Sequence, residues 1–277
     1  MLNIGEYNTL VVARNTDHGI YLKDSEGEEV LLPNKFVTEE MVEGVSLDVF
    51  VYTDSMDRPV ATTRKPLAVV GEFAALYVKD VTKFGAFLDW GLEKDLFVPW
   101  REQSEEMVEG RMYVVRICLD HRSGRVIGVS KIHSFIDSDT SELESGQEVD
   151  LMVYKRTEMG YLVLVNQRYS GLVYHSDVYG TPWIGERRKG FVKRVREDGK
   201  LDISFGKKGY DQVEDSKDVI VDALIKAGGK LPYHDKTDAE TIRKVFKMSK
   251  KNFKKVIGSL YKAGLVELSD KGIKLVV

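Results

Sequence analysis

The residues best able to do chemistry are aromatic rings interleaved with cations, and that chemistry is nucleobase stacking beside phosphate pairing. Phe84 and Phe87 lie at i and i+3 across a glycine bend, which can bring both rings to one surface, with Lys79 and Lys83 near in sequence. Stacking on such rings contributes on the order of 1–3 kcal/mol per base and tolerates any base. The competing reading puts Phe87 in a core, where alternating apolar residues belong. Tyr154, Lys155 and Arg156, with Tyr169, Tyr174 and His175, form a second group of aromatics and cations. Arg187, Arg188 and Lys189, followed by Lys193, Arg194 and Arg196, make the densest basic run. Lys247, Lys250, Lys251, Lys254 and Lys255 recur at spacings of three and four, which places them on one helix face. A charge run is usually a solvated face; phosphate contact is the sharper alternative.

Catalytic patterns are missing from the chain. The histidines His18, His121, His133, His175 and His234 contain no i,i+4 pair, and no H-E-x-x-H occurs. Neither a G-x-x-x-x-G-K-[ST] phosphate loop nor a G-x-S-x-G nucleophile elbow is present. Cys118 is the only cysteine, which excludes an intrachain disulfide, a zinc ribbon and thiol redox chemistry. A non-enzymatic protein is expected, with no catalytic residues, cofactor or metal. No run approaches the roughly 18 apolar residues of a spanning helix, and the start lacks the marks of a signal peptide. A cytoplasmic protein without membrane contact is the expectation.

The 277 residues are 43% apolar and 31% charged, a globular composition long enough for several small units. Internal repetition organises them. Gly5-Glu6-Tyr7 returns as Gly71-Glu72-Phe73, and Met41-Val42-Glu43-Gly44 returns unchanged at Met107-Val108-Glu109-Gly110. A third copy follows, Gly71 matching Gly146 and Gly85 matching Gly160, with its additional residues in the polar stretch 137–144, read as a linker. Each repeat reads as five short strands, in the second 72–80, 85–90, 96–99, 111–120 and 125–130. Five strands in so short a unit fit a small closed barrel, which removes exposed edges. Gly19, Gly85 and Gly160 sit where the first hairpin bends, suiting a bulge or a positive φ.

After about Ser216 the period changes to 3.6. Ser216 is expected to cap a first helix with Val219, Ile220 and Leu224 inward; Asp238 starts a second with Ile242, Val245 and Phe246. Ser249 caps a third, with Phe253, Val256, Ile257, Leu260 and Tyr261 on one face, and two short strands follow. Three helices and a hairpin predict a winged helix. The fold is thus mainly β with a C-terminal α+β domain, divided at 1–66, 67–136, 137–212 and 213–277. Charge is uneven: residues 1–145 carry 15 basic and 26 acidic side chains, 146–212 carry 12 and 9, and 213–277 carry 14 and 9. Any polyanion is expected chiefly on the third repeat and the helical end.

The string Val81-Thr82-Lys83-Phe84-Gly85-Ala86-Phe87-Leu88, then Leu96-Phe97-Val98-Pro99, resembles the RNA-binding barrel repeat of ribosomal protein S-one. The third repeat carries the second half of that signature, Gly171-Leu172-Val173-Tyr174-His175-Ser176. Three such barrels followed by a winged helix resemble the bacterial conserved virulence factor B (YitL-like) family. The resemblance implies OB-type barrels that bind RNA on the face around their second and third strands, with Phe84 and Phe87 as the motif aromatics. The first repeat offers His18 and Tyr21 there, the third Met159 and Leu162, so both phenylalanines are lost; the family's histidine position holds Pro33, Pro99 and Tyr174. It also implies post-transcriptional regulation of virulence-related genes.

The reading is an RNA-binding protein that holds unstructured RNA by stacking and a basic groove, mainly through the third barrel and the winged helix. The first barrel is expected to be mainly architectural and the second to contribute stacking at most. The rivals are a winged-helix transcription regulator on duplex DNA and a scaffold for ribosomal or RNA-degrading proteins. Base reading favours Arg, Asn and Gln, and the third helix offers lysines plus Asn252, which favours nonspecific contact.

Overall fold

Alternating β-branched and aromatic residues fold each repeat into a closed five-stranded barrel, as the repeat pattern demands. The computed structural model describes residues 1–178, 180–206 and 210–276, with only the backbone of 210–216. The first barrel comprises β1 (Glu6–Thr16), β2 (Gly19–Lys23), β3 (Glu29–Pro33), β4 (Ser46–Thr53) and β5 (Pro59–Thr62). The second comprises β6 (Phe73–Thr82), β7 (Gly85–Leu88), β8 (Leu96–Pro99), β9 (Met112–Asp120) and β10 (Arg125–Val129). The third comprises β11 (Glu148–Arg156), β12 (Gly160–Val165), β13 (Tyr169–Tyr174), β14 (Arg187–Val195) and β15 (Leu201–Ser204). In each, the third and fifth strands pair in parallel and close the barrel. The long first strand bends at a bulge, between Val12 and Arg14, Val78 and Asp80, or Val153 and Lys155.

Period-two alternation then decides what faces outward. Ala86 and Leu88 on β7 and Leu96 and Val98 on β8 are buried, which turns Phe87 and Phe97 to the outer face. Residues 1–137 form one compact unit. Within it the first two barrels share apolar packing: the Phe50 ring of β4 meets Trp90 edge-on at 5.8 Å, and Tyr52, Ala68 and Leu92 join the same core.

Residues 138–277 form the second unit. The stretch 137–144, read as a linker, begins at the boundary between the two units and is packed onto the third barrel. Thr140 and Leu143 are buried, Leu143 joins the third barrel's core, and the Thr140 hydroxyl donates to the Gly199 carbonyl at 3.0 Å. Beyond the barrel come α1 (Tyr210–Lys226), β16 (Lys230–Leu231), α2 (Ala239–Phe246), α3 (Lys250–Lys262), β17 (Val266–Ser269) and β18 (Gly272–Leu275), the strands ordered β16-β18-β17. This is a winged helix with a third strand beyond the expected hairpin. The Asp238 carboxylate accepts from the Thr241 amide at 2.8 Å, and the Ser249 hydroxyl from the Asn252 amide at 3.1 Å, both as capping predicts.

Two helix readings need correction. The first helix begins at Tyr210, so Ser216, whose side chain lies outside the described residues, is interior rather than a cap. Val219, Val245 and Tyr261, expected inward, are exposed, Tyr261 at 58%. The core is carried instead by Ile220, Leu224, Ile242, Phe246, Phe253 and Leu260. Among the described residues, no helix is long and apolar enough to cross a membrane.

Candidate nucleic-acid interface

On the second barrel, the β6–β7 turn lifts Phe84 clear of the core, at 69% exposure, with Lys83 Nζ 5.0 Å from its ring centre. Phe87, half-buried on β7, lies 5.1 Å from Phe97 of β8, the register pairing the two residues directly. The three rings line one hollow of about 440 Å³ that also takes in Lys94 and Arg125. Exposed aromatic rings with cations beside them accept an unpaired base and its phosphate. Phe87 is therefore a surface ring rather than a core residue.

Phe97 lies outside the set that the sequence motifs single out. Its signal is nonetheless present, since Leu96 and Val98 flank it in strand alternation and only one of the two registers can be inward.

Three of the four cations around these rings are already paired. Lys79 Nζ lies 2.9 Å from Asp95, which holds its pKa above the ordinary lysine value. Lys94 Nζ donates to the Asp54 carbonyl at 2.7 Å and lies 3.8 Å from Asp57; burial pushes its pKa down. Arg125 pairs with Asp57. Lys83 alone of this group has no carboxylate partner among the described residues.

On the first barrel the equivalent ring, Tyr21, is covered: the Arg14 guanidinium lies 3.8 Å over it and is held by Glu29 at 2.7 Å.

The third barrel separates residues that the sequence grouped. Lys155 and Arg156 are exposed at the end of β11, paired with Leu162 and Tyr161, and His175 packs edge-on against Tyr161 at 5.2 Å. His175 Nε2 donates to the Thr157 carbonyl at 3.0 Å. Arg187, Arg188 and Lys189 instead lie on β14 beside Asp150–Met152, towards the other end of β11. At about 3.3 Å per residue, the two groups are roughly 15 Å apart along that strand.

Arg187, Arg188 and Lys189 line a separate hollow of about 580 Å³ with Asn166 and Gln167. Lys189 pairs with Asp150 at 2.8 Å, and Arg188 lies 4.4 Å over Phe205.

The aromatics of this barrel are less available than expected. The Tyr154 and Ser170 hydroxyls share a hydrogen bond of 2.8 Å, and Tyr154 is half-buried. Tyr174 ends β13, and its hydroxyl accepts from Arg196 at 2.6 Å, itself tied to Asp202 at 2.5 Å. Lys193 pairs with Asp177 at 2.5 Å, while Arg194 is exposed.

On α3, Lys251 and Lys255 are exposed and have no ion pair among the described residues. Lys250 donates to the Lys236 carbonyl at 3.2 Å, and Lys254 lies 3.7 Å from Asp235. Asn252, the one residue on this helix suited to base reading, is only 9% exposed. The outward face of α3 thus offers chiefly lysine point charges, which suit phosphate.

Known proteins resemble this arrangement. Residues 4–64 match the S1 domain model and residues 218–275 the CvfB-like winged helix domain. The uncharacterized protein YitL of Bacillus subtilis (strain 168) is 29% identical, covering 95% of this chain and 90% of its own. Conserved virulence factor B of Staphylococcus epidermidis (strain ATCC 12228 / FDA PCI 1200) is 28% identical, covering 92% and 88%. A crystal structure described as a multidomain protein with nucleic acid binding domains, from Streptococcus pneumoniae, matches at a TM-score of 0.47 and 22% identity, covering 99% and 98%.

Proposed function

We propose that this chain, a homologue of the conserved virulence factor B proteins, is a non-enzymatic protein that binds single-stranded RNA and regulates gene expression after transcription. The observation that carries this reading is the open face of the second barrel, where Phe84, Phe87 and Phe97 converge beside Lys83, Lys94 and Arg125. Duplex DNA hides its base faces, and only an unpaired strand can use three rings. The basic surfaces of the third barrel and the winged helix supply the phosphate attraction, and the first barrel is mainly architectural. The name of the relatives, conserved virulence factor B, supports a role in virulence.

Fluorescence anisotropy with a short unstructured RNA and a matched DNA duplex, over a range of salt, tests the reading. RNA is expected to bind with a steep salt slope and duplex DNA to compete poorly. Duplex DNA displacing RNA at equal concentration would favour the transcription regulator instead. Lys251→Ala with Lys255→Ala is expected to reduce the slope by about 0.7 for each phosphate no longer neutralised, without a change of base preference. An unchanged slope assigns α3 to another partner and favours the scaffold reading.

A further inference from the structure

The second barrel's face is not built by that barrel alone. The turn between β4 and β5 of the first barrel reaches it: Ser55 and Asp57 line the same hollow as Phe84, Phe87 and Phe97. Asp57 pairs with Arg125, 68 residues away, and lies 3.8 Å from Lys94. Lys94 also meets this turn directly, donating to the Asp54 carbonyl and reaching the Thr53 hydroxyl at 3.3 Å. The apolar packing of Phe50 and Tyr52 on Trp90 and Leu92 joins the two barrels, so the turn is fixed in place.

The turn itself does not need the Asp57 carboxylate. Asp54 organises it, accepting from the Met56 amide at 2.8 Å and the Arg58 amide at 3.0 Å, with the Arg58 guanidinium on its other oxygen at 2.7 Å. The Asp57 amide donates to the Asp54 carbonyl at 3.0 Å. Asp57 adopts φ 63°, a left-handed conformation that Asp and Asn tolerate better than other side chains. The Arg125 guanidinium beside it holds its carboxyl below the usual carboxylate range.

We propose that Asp57 of the first barrel is an internal competitor for phosphate at the second barrel's RNA site. It occupies Arg125 and Lys94 in the empty site and is displaced from them when a strand stacks on the three rings. This rests on the RNA-binding reading above, and it gives the acidic first barrel a role in setting the affinity of its neighbour. A rotation of the Asp57 side chain suffices at Arg125, which is exposed and where a phosphate can replace a carboxylate one for one; Lys94, half-buried, keeps its bond to the Asp54 carbonyl.

The test is Asp57→Asn in the full chain, titrated with an unstructured RNA and with inorganic polyphosphate, which has no bases. The substitution keeps the turn conformation and removes the competitor. Both ligands are expected to bind about fivefold more tightly at low salt, and the RNA salt slope to steepen by about 0.7 for each cation released to phosphate. Adding Arg125→Gln to Asp57→Asn should remove most of the gain. Unchanged or weaker polyphosphate binding by Asp57→Asn would overturn the proposal and make Asp57 a positioning residue for Arg125. A polyphosphate gain with no RNA binding by either protein upholds the competition and overturns the RNA reading.

Discussion

Phe84→Ala is expected to weaken binding of unstructured RNA by about fivefold to a hundredfold, from the roughly 1–3 kcal/mol that a stacked base loses with its ring. The thermal midpoint should hardly move. Phe84 is 69% exposed and its ring lies outside the barrel core, so removing it opens no cavity. Its backbone contacts survive the change: the Trp100 amide donates to the Phe84 carbonyl at 3.0 Å, and the Phe84 amide to the Thr82 hydroxyl at 3.3 Å. Phe87→Ala and Phe97→Ala serve as the contrast, because those rings pack on each other at 5.1 Å and should lose stability as well as affinity. Anisotropy titration beside thermal denaturation separates the two. A Phe84→Ala protein that binds RNA as the parent does would leave the second barrel without its most exposed stacking surface and shift the reading to the basic surfaces alone.

What is legible in the sequence follows the range of the interactions that decide it. Barrels, strand limits and the caps Asp238 and Ser249 depend on neighbours within a few residues or on the repeat, and these are readable. The outward turn of Phe97 is equally local but needs the inward register of Leu96 and Val98 to be chosen first. The state of each cation is not readable, because its partner is set by tertiary packing. Counting charges makes the third repeat basic, yet Lys189, Lys193 and Arg196 are each held by a carboxylate, and Arg125 is held by a residue of another barrel. The start of α1 is misplaced by sequence because Ser216 satisfies the local rule for a cap while the chain is already helical.

The glycine at the first hairpin bend should prove the least replaceable residue near the site. A Cβ on Gly85 would stand 2.2 Å from the Val98 carbonyl oxygen and 2.8 Å from the Phe97 ring. The first atom belongs to the backbone of β8 and cannot swing aside, so β7 and β8 must part. The sequence allows a positive φ as the reason for glycine here, but Gly160 at the equivalent place in the third barrel lacks that conformation and has the same approach, 2.0 Å to the Val173 carbonyl. Close strand contact is therefore the shared cause.

Gly85→Ala is expected to cost about 3 kcal/mol or more, a large part of a small domain's stability. Urea unfolding followed by the fluorescence of buried Trp90 would read it, and the first barrel should unfold in the same transition because Phe50 and Tyr52 share that core. RNA binding should fall even in the folded fraction, since β7 and β8 carry the facing rings Phe87 and Phe97. An unchanged urea midpoint would mean that the strands yield to a methyl group, and the ring spacing that the stacking site depends on would then be adjustable rather than built in.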